Sequence, residues 1–473
     1  MTLALEIIRG QTPNYDYYLQ QGESLDDIDE YGFTALIESI ICKRPDVLQQ
    51  LLDRGVDINK PDVAGRTALH WAVDNHEVAL TRHLLKLGAN PNAYSASGMP
   101  VLAYPLLRRQ NDLKHLLCQH GAKLDFAYDF SVAKLLGHRF ELTGVVDILN
   151  AEGAFIELDY EGFILEFTVA ILQDALRRFC SSYSTRHWRG EFPYLLPVIA
   201  GLETASALLK YQSAPAIQPQ NFQAIDKLLR EPLLILPAAS RGHALGFVRY
   251  QKWWAKIDRG ENSQREGSIN IYEMTRPEAL NTQFLQEFLY KKQSREYFHQ
   301  QINHQLGLVP LLKYPMTAQI AGNCSWANIQ AVVPVSYAMQ QLAITGDLAV
   351  DKADALYNAW VAWDQERAID ECIHRFYLAD AARKASLASM LGAVLFQACD
   401  YDNRQDVLRA EKMLTILTLP QYYYILESYL EVYCVKRLTR RGNNLLKILD
   451  DCGINPEIGV SAVATGLKKR SRK

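Results

Sequence analysis

The sequence predicts a multidomain, mainly α chain. A helical solenoid of short repeats comes first, then a central α+β domain with a small antiparallel sheet, then a helical C-terminal region. Three observations carry this. Gly22, Gly55, Gly88 and Gly121 stand 33 residues apart. Past residue 230 the texture changes to short aliphatic and aromatic runs broken by turn residues. From about residue 350 apolar residues recur at three- and four-residue spacing. The expected divisions are 1–160, 161–340, 341–460 and a basic tail at 461–473.

The 33-residue step is kept by Thr34, Thr67 and Pro100, and within one position by Leu52, Leu85 and Leu117. With Thr-Ala-Leu-His at Thr67–His70, this is the signature of ankyrin repeats. In the repeat Asp62–Ala93, Thr67–Ala72 reads as the first helix and Val78–Leu87 as the second. Gly88 lets the chain leave in a left-handed conformation. Asn90–Ala96 then forms the hairpin. Gly32–Asn59 and Gly98–Leu124 are its neighbours. Leu3–Asp26 is an opening half-repeat with the polar outer face of a cap. That makes four repeats, and Val145–Leu158, with Ile148-Leu149 and Gly153, is a candidate degenerate fifth. Such an array is a surface for holding another protein. Trp71 is a candidate partner contact, with inter-repeat packing as the equal alternative. Asn59 and Asn92 occupy equivalent hairpin positions; they are read as turn residues that bond their own backbone, with hydroxylation, known at this position in ankyrin proteins generally, or partner contact as the functional reading.

Length and composition bound the rest. At 473 residues the chain exceeds one core. Its 49% apolar and 22% charged content is that of a soluble globular protein. A net charge of −3 argues against a whole-surface nucleic-acid or membrane role. The eight cysteines show neither Cys-x-x-Cys nor zinc-type spacing, which points to a reducing compartment. No cleaved secretory signal is expected at Met1–Gly10. The apolar window Ala388–Ala398 is too short to span a bilayer. No phosphate-binding loop, dinucleotide fingerprint, nucleophile elbow or His-Glu-x-x-His motif occurs.

The middle region carries the chemistry. Glu161–Leu208 reads as helical. Strands are expected at Leu233–Pro237, Ala244–Tyr250, Trp253–Ile257 and Ile269–Glu273, followed by a polar helical stretch over Glu278–Gln305. A hairpin turning at Tyr250-Gln251 puts His243 directly opposite Asp258. Cys324 follows Gly322-Asn323 and precedes an apolar-periodic run (Trp326, Ile329, Val333), so it starts a helix. Unpaired N–H groups there lower a thiol's pKa. A thiol needs a base, which His243 supplies; Asp258 orients the imidazole. Gln319 and the Cys324 N–H stabilise an oxyanion. Of the other histidines, His70 belongs to the repeat motif and bonds backbone. His299 and His304 fall on the polar helix, on a solvated face, and His187 and His374 have no recognisable partner.

The order His243, Asp258, Gln319, Cys324 resembles the cysteine-protease clan of the SUMO-deconjugating and adenovirus proteases, whose order the YopJ-type effectors share. His243-Ala-Leu245 followed by Ile257-Asp258 resembles its His-x-Leu…Asp pattern. Gln319…Gly322-Asn323-Cys324 resembles its Gln…Gly-x-Asp-Cys segment, with Asn323 and Ser325 where Asp and Gly are common. The resemblance covers Leu233–Val333. It implies a cysteine-protease-like, papain-like domain that cleaves a peptide or isopeptide bond through a thioester, without cofactor or metal. Two alternatives stay open: a pseudo-protease scaffold that works by binding, and an acetyltransferase of the same clan. With ankyrin repeats in front, the chain resembles effectors that Legionella injects into host cells. That implies type IV secretion, a role in virulence, and a host protein as partner. It also implies action in the host cytosol or nucleus as a monomer, with no direct nucleic-acid contact and no membrane span.

Helices are expected at Ala353–Trp363, Ile369–Tyr377, Ala385–Ala398, Val407–Thr418 and Tyr422–Val435. Leu445–Pro456 echoes the second helix and exit of an ankyrin repeat. Lys468, Lys469, Arg470, Arg472 and Lys473 make a solvated tail, with nuclear import or an anionic partner as its functional reading.

Overall fold

The computed structural model describes residues 3–160, 165–209, 222–240, 243–260, 267–290, 293–318 and 323–455. These form two compact units, Met1–Tyr128 with Gly162–Val361, and Asp129–Glu161 with Ala362–Lys473.

The first unit opens with the repeats. Helix pairs occupy Leu3–Ile8 and Tyr15–Gln20, Ala35–Ile41 and Pro45–Asp53, Ala68–Asp74 and Val78–Lys86, and Ala103–Leu107 and Asn111–Gln119. The threonine of the motif caps its helix: the Thr34 hydroxyl accepts from the Ile37 N–H at 3.3 Å. His70 behaves as its motif requires. Its Nδ1 accepts from the Thr67 N–H at 3.0 Å, and its Nε2 lies 3.4 Å from the Met99 carbonyl of the next repeat. The four periodic glycines all have positive φ, from +75° at Gly55 to +95° at Gly88 and Gly121. Each second helix therefore ends by the same left-handed exit.

The expected fifth repeat is not one. Val145–Leu149 (β1) and Phe155–Asp159 (β2) pair as an antiparallel hairpin in the second unit. Its apolar residues alternate, with Val146 and Ile148 buried between exposed Val145 and Asp147. That is the period of a strand, not of a helix. The Asn150 side chain accepts from the Glu152 and Ala154 N–H groups, so Gly153 serves a hairpin turn.

Beyond the repeats, the first unit contains a five-stranded antiparallel meander: β3 (Leu233–Ser240), β4 (His243–Tyr250), β5 (Trp253–Ile257), β6 (Ile269–Met274) and β7 (Leu308–Tyr314). β7 was not expected. Pro310 interrupts its apolar pattern, and the strand lies at the sheet's edge, where a residue lacking an N–H is tolerated. Alternation along the strands divides the sheet. Leu234, Leu236, Leu245, Phe247 and Trp254 form one core with Phe284, Phe288 and Phe298 from the stretch expected to be polar. That stretch is broken into Thr282–Tyr290, a π-helical turn at Tyr297–Gln301 and Ile302–Leu306.

Helix Phe192–Leu209 is long and apolar enough, by length and composition, to cross a membrane. Here Gly201 brings it against Leu233 and Ile235, so its apolarity is that of a core helix. The helix Cys324–Gln330 packs against β4, where a Cβ on Gly246 would stand 3.0 Å from the Asn328 carbonyl oxygen. Glycine at that position permits the close approach.

The second unit contains helices Ala381–Ala398, Arg404–Leu417, Tyr423–Leu430 and Arg440–Asp451 and two ion pairs, one buried and one part-buried. Arg139 meets Asp364 at 2.5 Å and Arg383 meets Asp129 at 2.7 Å. The two helices expected between Ala353 and Tyr377 are one continuous helix, Val350–Leu378. The segment expected at Leu445–Pro456 contains the end of helix Arg440–Asp451 and then Gly453 at φ +71°, a left-handed exit.

Candidate active site

The β4–β5 hairpin turns at Gln251-Lys252, with Gln251 at φ +52°. Tyr250 therefore pairs with Trp253 and Gly246 with Ile257, two residues off the expected register. A shift of two keeps every side chain on its face. His243 still reaches Asp258, but diagonally: Nε2–Oδ1 is 2.9 Å. Because a carboxylate only accepts, the imidazole donates through Nε2–H. The Gly260 N–H donates to the same oxygen at 3.1 Å. Gly260 also walls the ring, since a Cβ there would come within 2.7 Å of His243 Cε1.

Cys324 opens its helix as expected, with Asn323 at the cap position. The Ala244 N–H, one residue past His243, donates to its sulfur at 3.4 Å. The thiol and the imidazole also interact, each favouring the other's charged form. Asn328 ties the parts together from the fully buried side of the helix. Its Nδ2 donates to the Ala244 carbonyl at 2.6 Å and its Oδ1 accepts from the Arg259 N–H at 2.8 Å. The buried Arg259 guanidinium in turn donates to the carbonyls of Thr317 and Ala327. Neither residue was singled out from the sequence. Asn328 was legible as a polar residue in an apolar-periodic run; Arg259 looked like loop.

The electrostatics follow from these contacts. The Asp258 hydrogen bond and then the Cys324 hydrogen bond raise His243 to about 9, against burial. Burial would raise the Asp258 carboxyl, but His243, the Gly260 N–H and His299 together hold it below its ordinary value. Burial would likewise raise Cys324. The His243 hydrogen bond, the Ala244 N–H, the imidazole charge and the Ser325 N–H outweigh it, and the thiol is lowered. All eight cysteines lie among the described residues. The other seven are pushed up, chiefly by burial: Cys42 and Cys399 to about 12, Cys180 and Cys434 to about 11, and Cys118, Cys372 and Cys452 upward as well.

His299 departs from expectation. Its side chain is 9% exposed and its Nε2 lies 3.6 Å from Asp258 Oδ2. His304, on the same stretch, is exposed as expected. Gln319 and the basic tail lie outside the described residues. Among the described residues, no group of three or more His, Cys, Asp or Glu side chains is placed to hold a metal ion.

The whole fold matches the solved structure of the Legionella effector AnkH. The TM-score is 0.91, the identity 62%, and the match covers 97% of this chain and 99% of that one.

The chain belongs to the AnkH effector family.

Within this AnkH-type chain the ankyrin repeat model matches residues 64–96. The mouse protein phosphatase 1 regulatory subunit 27 is 33% identical over 75 residues, 16% of this chain. The chain spans about half the length of that curated relative, 49%.

The three residues expected at a partner surface are engaged within the AnkH-type array. The Trp71 Nε1–H donates to Asp62 at 3.1 Å, Arg66 stacks on the indole at 3.7 Å, and Phe33 meets it edge-on at 5.4 Å. Asn59 does not bond its own turn. It donates to the Gly88 carbonyl at 3.2 Å and accepts from the Asn90 N–H at 2.7 Å, both in the next repeat. Asn92 repeats this with the Gly121 carbonyl and the Lys123 N–H. The two asparagines staple successive hairpins.

Proposed function

We propose that this Legionella-type ankyrin effector is a thiol-dependent acyl-transfer enzyme, most simply a hydrolase of peptide or isopeptide bonds in a host protein. Ankyrin arrays generally mediate protein–protein contact, and here the array would hold that protein. The observation that carries the reading is that Cys324 starts its helix with the Ala244 N–H on its sulfur, next to His243, which is itself held by Asp258. Cys324 alone is lowered, and the groups that lower it are the imidazole and the backbone N–H groups around it.

In the proposed reaction the Cys324 thiolate attacks the carbonyl carbon and a C–S bond forms. The oxyanion is met by the Cys324 N–H and by Gln319. His243, protonated, gives its proton to the leaving amine as the C–N bond breaks. Water then attacks the thioester with His243 taking its proton, the C–S bond breaks, the acid leaves, and the Cys324 thiolate and His243 imidazolium are restored. Asp258 holds the imidazole throughout. Delivery by type IV secretion and action in the host cytosol or nucleus belong to the same proposal.

The test is limiting iodoacetamide with peptide mapping, near neutral pH, on the wild type and on His243→Ala. Selective, His243-dependent modification of Cys324 is expected. Equal reaction of all eight thiols, or protection of Cys324, would sink the reading in favour of a binding scaffold.

A further inference from the structure

Two buried polar groups stand behind Asp258, and the chemistry above uses neither. Lys256 precedes Asp258 by two residues, so it emerges on the sheet face that carries Trp254; it is only 3% exposed. His299 sits on the π-helical turn Tyr297–Gln301, next to Phe298 of the core on that face. Lys256 Nζ lies 2.8 Å from His299 Nδ1. His299 Nε2 lies 3.6 Å from Asp258 Oδ2. The carboxylate thus has a histidine on each oxygen: His243 on Oδ1 and His299 beside Oδ2.

The direction of this row follows from donor and acceptor inventory. An ammonium has donors only, so His299 Nδ1 accepts and the ring proton sits on Nε2. That N–H faces Asp258 Oδ2. A contact of 3.6 Å becomes a hydrogen bond with a movement of a few tenths of an ångström. Resting sites commonly hold such contacts long. A lysine this buried is held where its donors are met, and the His299 ring meets one of them.

We propose that Lys256 and His299 are positioning residues for the thiol site. Lys256 sets the Nε2–H tautomer of His299, and His299 holds the outer oxygen of Asp258 so that the inner oxygen stays aimed at His243. The proposal rests on Cys324 being the nucleophile, and its two tests separate the two ideas.

The first test compares the alkylation rate of Cys324 in the full chain for wild type, His299→Leu and His299→Gln, with urea unfolding as the check on folding. Leucine fills the space without a donor, whereas glutamine places an amide N–H near the old Nε2. His299→Leu should slow alkylation at neutral pH about tenfold, the effect of one hydrogen bond to an ionised acceptor. His299→Gln should restore the rate to within about twofold. A folded leucine variant that alkylates like wild type overturns the proposal, as does a glutamine variant equally slow. The second test reads the tautomer by ¹⁵N spectra of histidine-labelled protein. His299, assigned from the His299→Gln spectrum, should be Nε2–H, and Lys256→Met should change that signal. An Nδ1–H ring, or indifference to Lys256→Met, overturns the proposal. This readout does not depend on whether Cys324 is armed. A wild type without selective labelling would instead count against the enzymatic reading.

Discussion

His243 and Asp258 meet on the diagonal of the β4–β5 hairpin, Nε2 to Oδ1 at 2.9 Å, and not across a directly paired position. Phe247 and Trp254 sit on the same diagonal, with ring centroids 5.6 Å apart. Sheet twist brings such diagonal neighbours together. The imidazole and carboxylate therefore take their geometry from the aromatic core beneath them.

That geometry sets a pH dependence. With His243 raised to about 9, the imidazolium persists through the neutral range and favours the thiolate of Cys324, whose pKa it lowers. Alkylation of wild-type Cys324 should be faster there and climb less steeply with pH than that of an ordinary thiol, and its profile should alter near 9, where the imidazolium loses its proton. In His243→Ala the imidazole's contribution vanishes, leaving burial opposed only by the Ala244 and Ser325 N–H groups. Its rate should climb about tenfold per pH unit through neutrality, as for an ordinary protonated thiol. Parallel profiles for the two proteins would refute the ion pair.

Gly260→Ala isolates the imidazole's position. Gly260 has no left-handed φ, so alanine adds only its Cβ, which would stand 2.7 Å from His243 Cε1 and 3.2 Å from Nε2. The ring must move off Asp258. Selective labelling of Cys324 should fall by about 10²-fold, the effect of an ångström of misplacement, while the melting temperature stays close to wild type. Retained selectivity would mean the ring's placement does not matter.

Asn328→Ala removes the link between helix and strands. The Ala244 carbonyl and the Arg259 N–H lose a shared partner in a site that is 0% exposed. Leaving both unsatisfied should cost roughly 2–4 kcal/mol in urea unfolding. Cys324 should also lose its selective labelling, because the nucleophile helix is no longer tied to the strand of His243. A stable, fully reactive variant would show that packing alone holds the helix.

Asn59→Ala and Asn92→Ala test the hairpin staples. Each removes two bonds to the following repeat in an exposed setting, so roughly 1–2 kcal/mol of array stability should go. Loss of stability should precede any loss of partner capture. Unchanged unfolding with lost capture would instead make these residues contact positions.

Much of this chain was legible from sequence because its signals are local or repeated. The left-handed exits at Gly55 and Gly88 need only a glycine after an amphipathic helix, and the step between them multiplies a weak signal. The helix start at Cys324 was visible in the spacing of Trp326 and Ile329. Less legible was anything decided by a distant partner. Asn150–Gly153 looked like a repeat exit until β2 returned to pair with β1. Gln251, with no glycine or asparagine to mark the turn, hid the hairpin register.

The sequence by itself determined the ankyrin array, the small sheet and the order His243, Asp258, Cys324, since each rests on periods and neighbours within a few residues. Only the tertiary structure decided the diagonal pairing, the edge strand β7, the buried Asn328 and Arg259, and His299 with Lys256 behind the carboxylate. The reason is the range of the contacts. Lys256 and His299 lie 43 residues apart, and Ala244 and Asn328 lie 84 apart. Burial turned polar residues that read as solvated or loop into hydrogen-bonded parts of one site.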